Sequence, residues 1–182
     1  MPLQHGSTKM LKAMRRGITR EKTEDLVAQI REKVPNIAMR TTLIAGYPGE
    51  TEKDFQEMYD FVEKTKFDRL GIFAYSHEEN THAFNFDDDV PAELKLERTE
   101  AIMELQSDIS YQLNQKKVGE THKVLFDRKE SEFFIGRTQF DSPEVDNEVV
   151  VKESDSKNIE VGSFSTIEIT SADHYDLYGK QI

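Results

Sequence analysis

Residues 37–76 hold two short apolar runs, IAMRTTLIAG and FDRLGIFAYS, with a helical pattern between them, and this arrangement restricts the fold more than any other feature. The first run is β-branched and nearly continuous in its apolar part, as in a strand buried on both faces. It ends in the turn GYPGET, after which Thr51 is placed to cap a helix. Glu52 lies in the dipole-favoured first turn of that helix, and Phe55, Met58, Tyr59 and Val62 lie on one side. Strand, helix and strand within about 40 residues make a βαβ unit, so the two strands are expected to be parallel neighbours with a right-handed crossover.

The flanking segments extend the pattern. STKMLKAMRR, 7–16, reads as a short helix with Ser7 as N-cap and Gly17 as its stop. A second helix over 20–34 has Thr19 as cap and Leu26, Ile30 and Val34 at every fourth position. After the acidic loop HEENTHAFNFDDD, Pro91 suits a first helical position. No Gly or Pro interrupts the chain from there to Lys117, which predicts a helix roughly 40 Å long. Its expected apolar stripe is Leu94, Ile102 or Met103, Leu105, Ile109 and Leu113. Gly119 ends it. Beyond this point HKVLFDR, FFIGRTQF, EVVVKE, FSTIEIT and YDLYGKQI alternate with period two between turn residues, as in a small antiparallel barrel or sandwich. The domain boundary is expected at 117–119.

Charge and composition exclude several functions. The 182 residues carry 24 Lys+Arg against 35 Asp+Glu, a net charge of −11. After residue 117 the balance is 7 basic against 14 acidic residues, or −7. Such a surface suits a basic protein partner better than nucleic-acid phosphates. No apolar run approaches the roughly 18 residues of a membrane span, and no basic-then-apolar leader is seen. A cytoplasmic location is therefore expected. With no cysteine, the chain offers no disulfide and no thiolate for zinc or an iron–sulfur cluster. His5, His77, His82, His122 and His174 show no metal-ligand spacing, and His77 and His82 are expected in solvent. Asp87–Asp89 lack the calcium-loop pattern and read as a solvated acidic loop.

GYPGET lacks the Lys-Ser/Thr of a phosphate loop and the G-x-G-x-x-G of a dinucleotide fold. It is a glycine turn at the carboxyl end of a parallel strand, where α/β folds place ligands. PLQHGS and AYSHEEN occupy equivalent junctions beside it. A tight connection and a ligand site both remain open from the turn alone; three such junctions together favour a site.

In this order PLQHGSTKMLKAMRRG, RTTLIAGYPGETEKDF, GIFAYSHEENTHA and GRTQFDSPEVDNEV resemble the C-terminal part of the radical S-adenosylmethionine methylthiotransferases, over nearly the whole chain. The resemblance implies an α/β fold: the C-terminal part of a (β/α)6 partial barrel over 1–117, then a small antiparallel, OB-like TRAM barrel over 118–182. YSHEENTHA and GRTQFDSPEVDN are more similar to the branch that adds a methylthio group to an aspartate β-carbon of ribosomal protein S12 than to the branch that modifies a tRNA adenosine. A module that only docks on the ribosome is the non-enzymatic alternative. Asn80, Ser142 and Asn147 depart mildly from the family's Gly, Ala and Gly.

The resemblance further implies S-adenosyl-L-methionine and two [4Fe–4S] clusters in the full-length enzyme. Neither cluster is held here, where the cluster cysteines are missing; no catalytic residue and no metal ligand is expected in the segment, which should be inactive alone. The cofactor-binding residues implied are Gln4, Ser7, Arg16, Ile44, Gly46, Glu50, Phe73, Tyr75 and Ser76, with core packing an equal reading for Phe73. Ribosomal protein S12 is the implied partner, tRNA is disfavoured, and no membrane is involved. Asp141, Glu144 and Asp146 are expected to form the docking surface, with Arg137 paired to one of them.

Overall fold

The computed structural model describes residues 1–182, which form two compact units, Met1–Ile109 and Ser110–Ile182. The first is built from helices α1 (Thr8–Ala13), α2 (Arg20–Lys33) and α3 (Glu52–Thr65), strands β1 (Arg40–Ala45) and β2 (Arg69–Ala74), and most of α4 (Ala92–Lys116). β1 and β2 pair in parallel from Arg40–Arg69 to Ala45–Ala74, as a βαβ unit requires. Gln4 adds a single parallel bridge to Leu43 on the other side of β1.

The sheet is not buried on both faces. Thr41, Leu43 and Ala45 are buried, whereas Thr42 and Ile44 are half-buried and Arg40 is exposed. One face packs into the core and the other stays partly open, so the near-continuous apolar run reflects two different environments. α3 starts on a complete capping box, with Thr51 accepting from the Asp54 N–H and Asp54 accepting from the Thr51 N–H. It buries Met58, Phe61 and Val62.

Three helical expectations need correction. α1 ends at Ala13, and the left-handed residue after it is Arg15 (φ 57°), not Gly17. Ser7 sits at the N-cap position but makes no capping bond, because its hydroxyl is used elsewhere. On α2 the buried pair is Thr23 and Val27, one position round from Leu26, Ile30 and Val34; Val34 is 48% exposed. Polar anchors decide that rotation: Arg20 Nη1 donates to the Glu57 carbonyl, and Arg31 donates to the carbonyls of Thr65 and Lys66. α4 is one 25-residue helix, close to the expected length. Its buried positions are Lys95, Arg98, Ile102, Gln106, Ile109 and Asn114, and Met103 is exposed. The spacing from Lys95 to Ile109 is that of a core stripe, but four of those six side chains are polar.

The second unit is a closed barrel of β3 (Thr121–Glu130), β4 (Phe133–Arg137), β5 (Val149–Lys152), β6 (Phe164–Ala172) and β7 (Leu177–Gln181), in the order β3-β4-β5-β7-β6. The five strands coincide with the five alternating runs. All pairings are antiparallel except β5–β7, which is parallel. Val124, Phe126, Phe134, Val149, Val151, Ile167, Ile169 and Leu177 fill its interior. Gly136 is required here, since a Cβ would lie 2.5 Å from the Leu125 carbonyl oxygen.

Candidate functional site

The site is built where β1 runs out into GYPGET. Gly46 (φ 76°) and Gly49 (φ 79°) take left-handed conformations that reverse the chain at little steric cost. The turn then closes on itself: Gly46 N–H donates to Glu50 Oε2 at 2.9 Å, and Glu50 N–H donates to the Tyr47 carbonyl at 2.9 Å. Glu50 is buried and both its oxygens are occupied. Arg98 Nη1 donates to Oε1 at 2.8 Å, and His5 Nε2 lies 3.1 Å from Oε2. His5 Nδ1 accepts the Ser7 N–H at 2.9 Å, which leaves Nε2 to carry the proton and donate to Glu50. The first junction and the glycine turn are thereby joined through a buried imidazole.

A second buried carboxylate ties the same elements. Asp54 accepts from the Ser7 hydroxyl at 3.0 Å, Lys9 Nζ at 2.6 Å, and the Thr51 N–H and hydroxyl at 3.0 and 2.5 Å. Burial alone raises its pKa, but the bonds from Lys9, Thr51 and Ser7 outweigh that and hold the carboxyl well below the usual carboxylate range.

The acidic loop is exposed, as expected, and two of its carboxylates are also engaged. Asp88 takes Lys95 Nζ through both oxygens at 2.6 and 2.7 Å, and Asp89 accepts the Gly49 N–H at 2.7 Å. His77, expected in solvent, is instead half-buried; it stacks on Phe84 at 4.8 Å and bonds the Tyr75 hydroxyl at 3.1 Å. His82 stays exposed, edge-on to Phe86.

The open sheet face lies beside this network. Ile44 and Phe73 are register partners, as are Thr42 and Gly71. Phe73 is 63% exposed, and a Cβ on Gly71 would meet nothing within 4 Å. Together Ile44, Gly71 and Phe73 make a partly open apolar shelf with clear space at Gly71. Gln4 flanks it in a left-handed conformation (φ 75°), held by its N–H to the Thr42 carbonyl and its carbonyl to the Ile44 N–H. A non-glycine residue there stores about 1–3 kcal/mol of strain. Tyr75 follows β2, hydrogen-bonded from its N–H to the Ala45 carbonyl. Burial, then the charges of Asp88 and Glu78 and the neighbouring Tyr47, push its phenol up.

Of the nine cofactor residues implied by sequence, the structure gathers Gln4, Ile44, Gly46, Phe73 and Tyr75 at this end of the sheet. Ser7 and Glu50 lie behind it, fully occupied by Asp54 and by Arg98 and His5. Ser76 is exposed and donates to Glu78. Arg16 is exposed with no side-chain hydrogen bond, and no contact joins it to the others. Sequence reading missed His5, Asp54, Lys95 and Arg98. The available signal was that Lys95 and Arg98 occupy core spacing with Ile102 and Ile109.

On the barrel, Arg137 Nε donates to Asp127 at 3.0 Å, a carboxylate outside the trio proposed for it. Asp141 is 6% exposed and receives the Thr138 hydroxyl at 2.5 Å. Asp146 accepts the Ser142 N–H at 2.7 Å. Glu144 (φ 62°) is exposed beside Val145, which is 70% exposed.

The shelf offers an apolar, partly open surface beside a glycine turn. The chain has no cysteine and no cluster of three His, Asp or Glu able to hold a metal, so it does not fit an iron–sulfur cluster. No helix is long and apolar enough to cross a membrane.

Comparison with known proteins gives concordant matches. A radical SAM superfamily model matches residues 1–62 and a TRAM domain model matches 118–182. A protein of Cytophaga hutchinsonii described as ribosomal protein uS12 methylthiotransferase RimO is 59% identical over 99% of this chain and 41% of its own length. Its counterpart in Christiangramia forsetii, with the same description, is 53% identical over 100% of this chain and 40% of its own. The chain thus spans about two fifths of the length of these relatives. Among solved structures, coproporphyrinogen III oxidase (HemN) from Escherichia coli, described as a radical SAM enzyme, matches with a TM-score of 0.51 and 19% identity, over 76% of this chain and 40% of that one. That likeness concerns the fold alone.

Proposed function

We propose that the chain is part of a radical S-adenosylmethionine methylthiotransferase and forms one wall of the cofactor site and the partner-docking domain of a ribosomal protein S12 methylthiotransferase. The observation that carries this reading is the open shelf of Ile44 and Phe73 at the carboxyl end of β1 and β2, bounded by a glycine turn, in a chain 59% identical to an S12-modifying relative. In the proposal Ile44 and Phe73 pack against the adenine, while Gln4 and Tyr75 supply polar edges. Arg16 reaches the methionyl carboxylate, for which a guanidinium is suited by its paired donors. Gly46 lets backbone approach the ligand. Ser7 and Glu50 shape the site from behind, and Ser76 lies at its rim. S-adenosylmethionine supplies the radical and the methyl group; the cysteines for both clusters belong to sequence outside these 182 residues. This activity places the protein in the cytoplasm.

The functional division is proposed at 117–119, inside the second compact unit, with 118–182 docking S12. Glu144 and Val145 are the exposed tip of the 138–147 loop, and the −7 charge of 118–182 favours a basic partner. A second reading, RNA binding by the barrel, has one observation behind it. A cleft of about 390 Å³ is lined by Lys123, Leu125, Arg137, Gln139 and Phe164. Lys123 pairs with no carboxylate, and Arg137 spends only Nε on Asp127.

A segment swap tests the choice. This chain replaces its counterpart in the Cytophaga hutchinsonii relative, and the purified chimera is given S12 and tRNA. Methylthiolated S12 with unmodified tRNA, read by mass spectrometry, is the expected result; the reverse would establish the RNA reading.

A further inference from the structure

Lys95 is an anomalous core residue. It is 5% exposed, and an ammonium at such depth is costly unless neutralised. Its stem fills the space above Gly46, where a Cβ would lie 2.2 Å from Lys95 Cγ. Its ammonium reaches both oxygens of Asp88 and lies 5.0 Å from the centre of the Tyr75 ring. The next residue, Asp89, bonds the Gly49 N–H. Adjacent carboxylates therefore hold the segment before α4 to both glycines of the turn, one directly and one through Lys95.

We propose that Lys95 and Asp88 are positioning residues: their ion pair pins the 86–90 segment onto the glycine turn and keeps the wall beside Tyr75 electrically neutral toward a cationic ligand. The pinning stands on geometry alone. The neutral wall rests on the S-adenosylmethionine reading and deepens it. An unpaired ammonium there would repel a sulfonium, and an unpaired carboxylate would attract one. Each effect vanishes for S-adenosylhomocysteine, the same molecule without the methyl and its charge.

Two substitutions have opposite consequences. Asp88→Asn leaves Lys95 unpaired, and should weaken S-adenosylmethionine relative to S-adenosylhomocysteine by about tenfold. Lys95→Met keeps an apolar stem over Gly46 and should shift that ratio the other way. A role in folding alone would move both ligands and both variants in one direction. In the 182-residue chain without ligand, hydrogen exchange at the Gly46 and Gly49 amides should quicken by about two- to fivefold in either variant. The double variant should be no faster than the faster single one.

Binding constants are measured by equilibrium dialysis on the chimera described above. Unchanged exchange in both variants overturns the pinning, and ratios shifting in the same direction overturn the neutral wall. If the unsubstituted chimera binds neither ligand, the cofactor reading fails and the neutral wall falls with it, while exchange still decides the pinning.

Discussion

The carboxyl end of the parallel sheet and the interior of the terminal barrel both bury side chains, but of different chemistry. The barrel interior is aliphatic and aromatic, and its ion pairs, such as Arg128–Glu148 and Lys129–Glu153, lie at the surface. The sheet end buries His5, Glu50, Asp54, Lys95 and Arg98 beneath the glycine turn. Apolar side chains would fill that space at lower cost, since a buried ion pair rarely improves on a packed apolar one. What the charges add is direction. Glu50 fixes the Gly46 amide, Arg98 fixes Glu50, and Asp54 fixes the first junction to α3. The barrel is packed for closure, and the sheet end is wired for shape.

The contrast can be broken by substitution. Arg98→Met removes the cation from a carboxylate that stays buried, and should lower unfolding free energy by about 3–5 kcal/mol. Urea denaturation checks this; a loss below about 1 kcal/mol would show the network to be ornamental. In the barrel, Phe126→Ala should cost about 3–4 kcal/mol through a cavity, with no dependence on pH between 4 and 8.

Asp54→Asn comes next, at about 1–3 kcal/mol through weakened bonds to Lys9, Thr51 and Ser7. Its pH dependence has a definite sign. A carboxyl whose folded pKa is depressed stabilises the fold above its unfolded pKa, and that contribution is lost as pH falls through the folded value. The difference between wild type and Asp54→Asn should therefore be full at neutral pH. It should shrink only below the ordinary carboxylate range, in denaturation curves run at successive pH values. Lys129→Ala, at an exposed barrel pair, should stay within about 0.5 kcal/mol of wild type.

The same contrast explains what was legible in the sequence. All five barrel strands showed in period-two alternation, because a closed apolar interior imposes that period directly. The βαβ unit, its parallel pairing and the Thr51 cap were legible for similar reasons. The buried face of α2 was not, and that of α4 was legible only in part. On α4 an apolar search found Ile109 and, as one of two alternatives, Ile102, but passed over the buried Lys95 and Arg98; on α2 it missed the anchoring of Arg20 and Arg31. Burial by ion pairing carries no hydrophobic signature. Ser7 illustrates a further limit, since a hydroxyl at an N-cap position was claimed by Asp54, 47 residues away. The bonding of Asp88 and Asp89 was hidden for the same reason: their partners Lys95 and Gly49 are set by tertiary structure.

In the proposed division of labour the sheet end holds S-adenosylmethionine and the barrel meets the protein substrate. Steady-state kinetics of the chimera with Phe73→Ala and Glu144→Gln test it most directly. Phe73→Ala should raise KM for S-adenosylmethionine by about tenfold, leaving KM for S12 within about twofold, while Glu144→Gln should do the opposite with a smaller effect that fades as salt increases. If Phe73→Ala leaves KM for S-adenosylmethionine unchanged, or both substitutions act on the same substrate, the division does not exist.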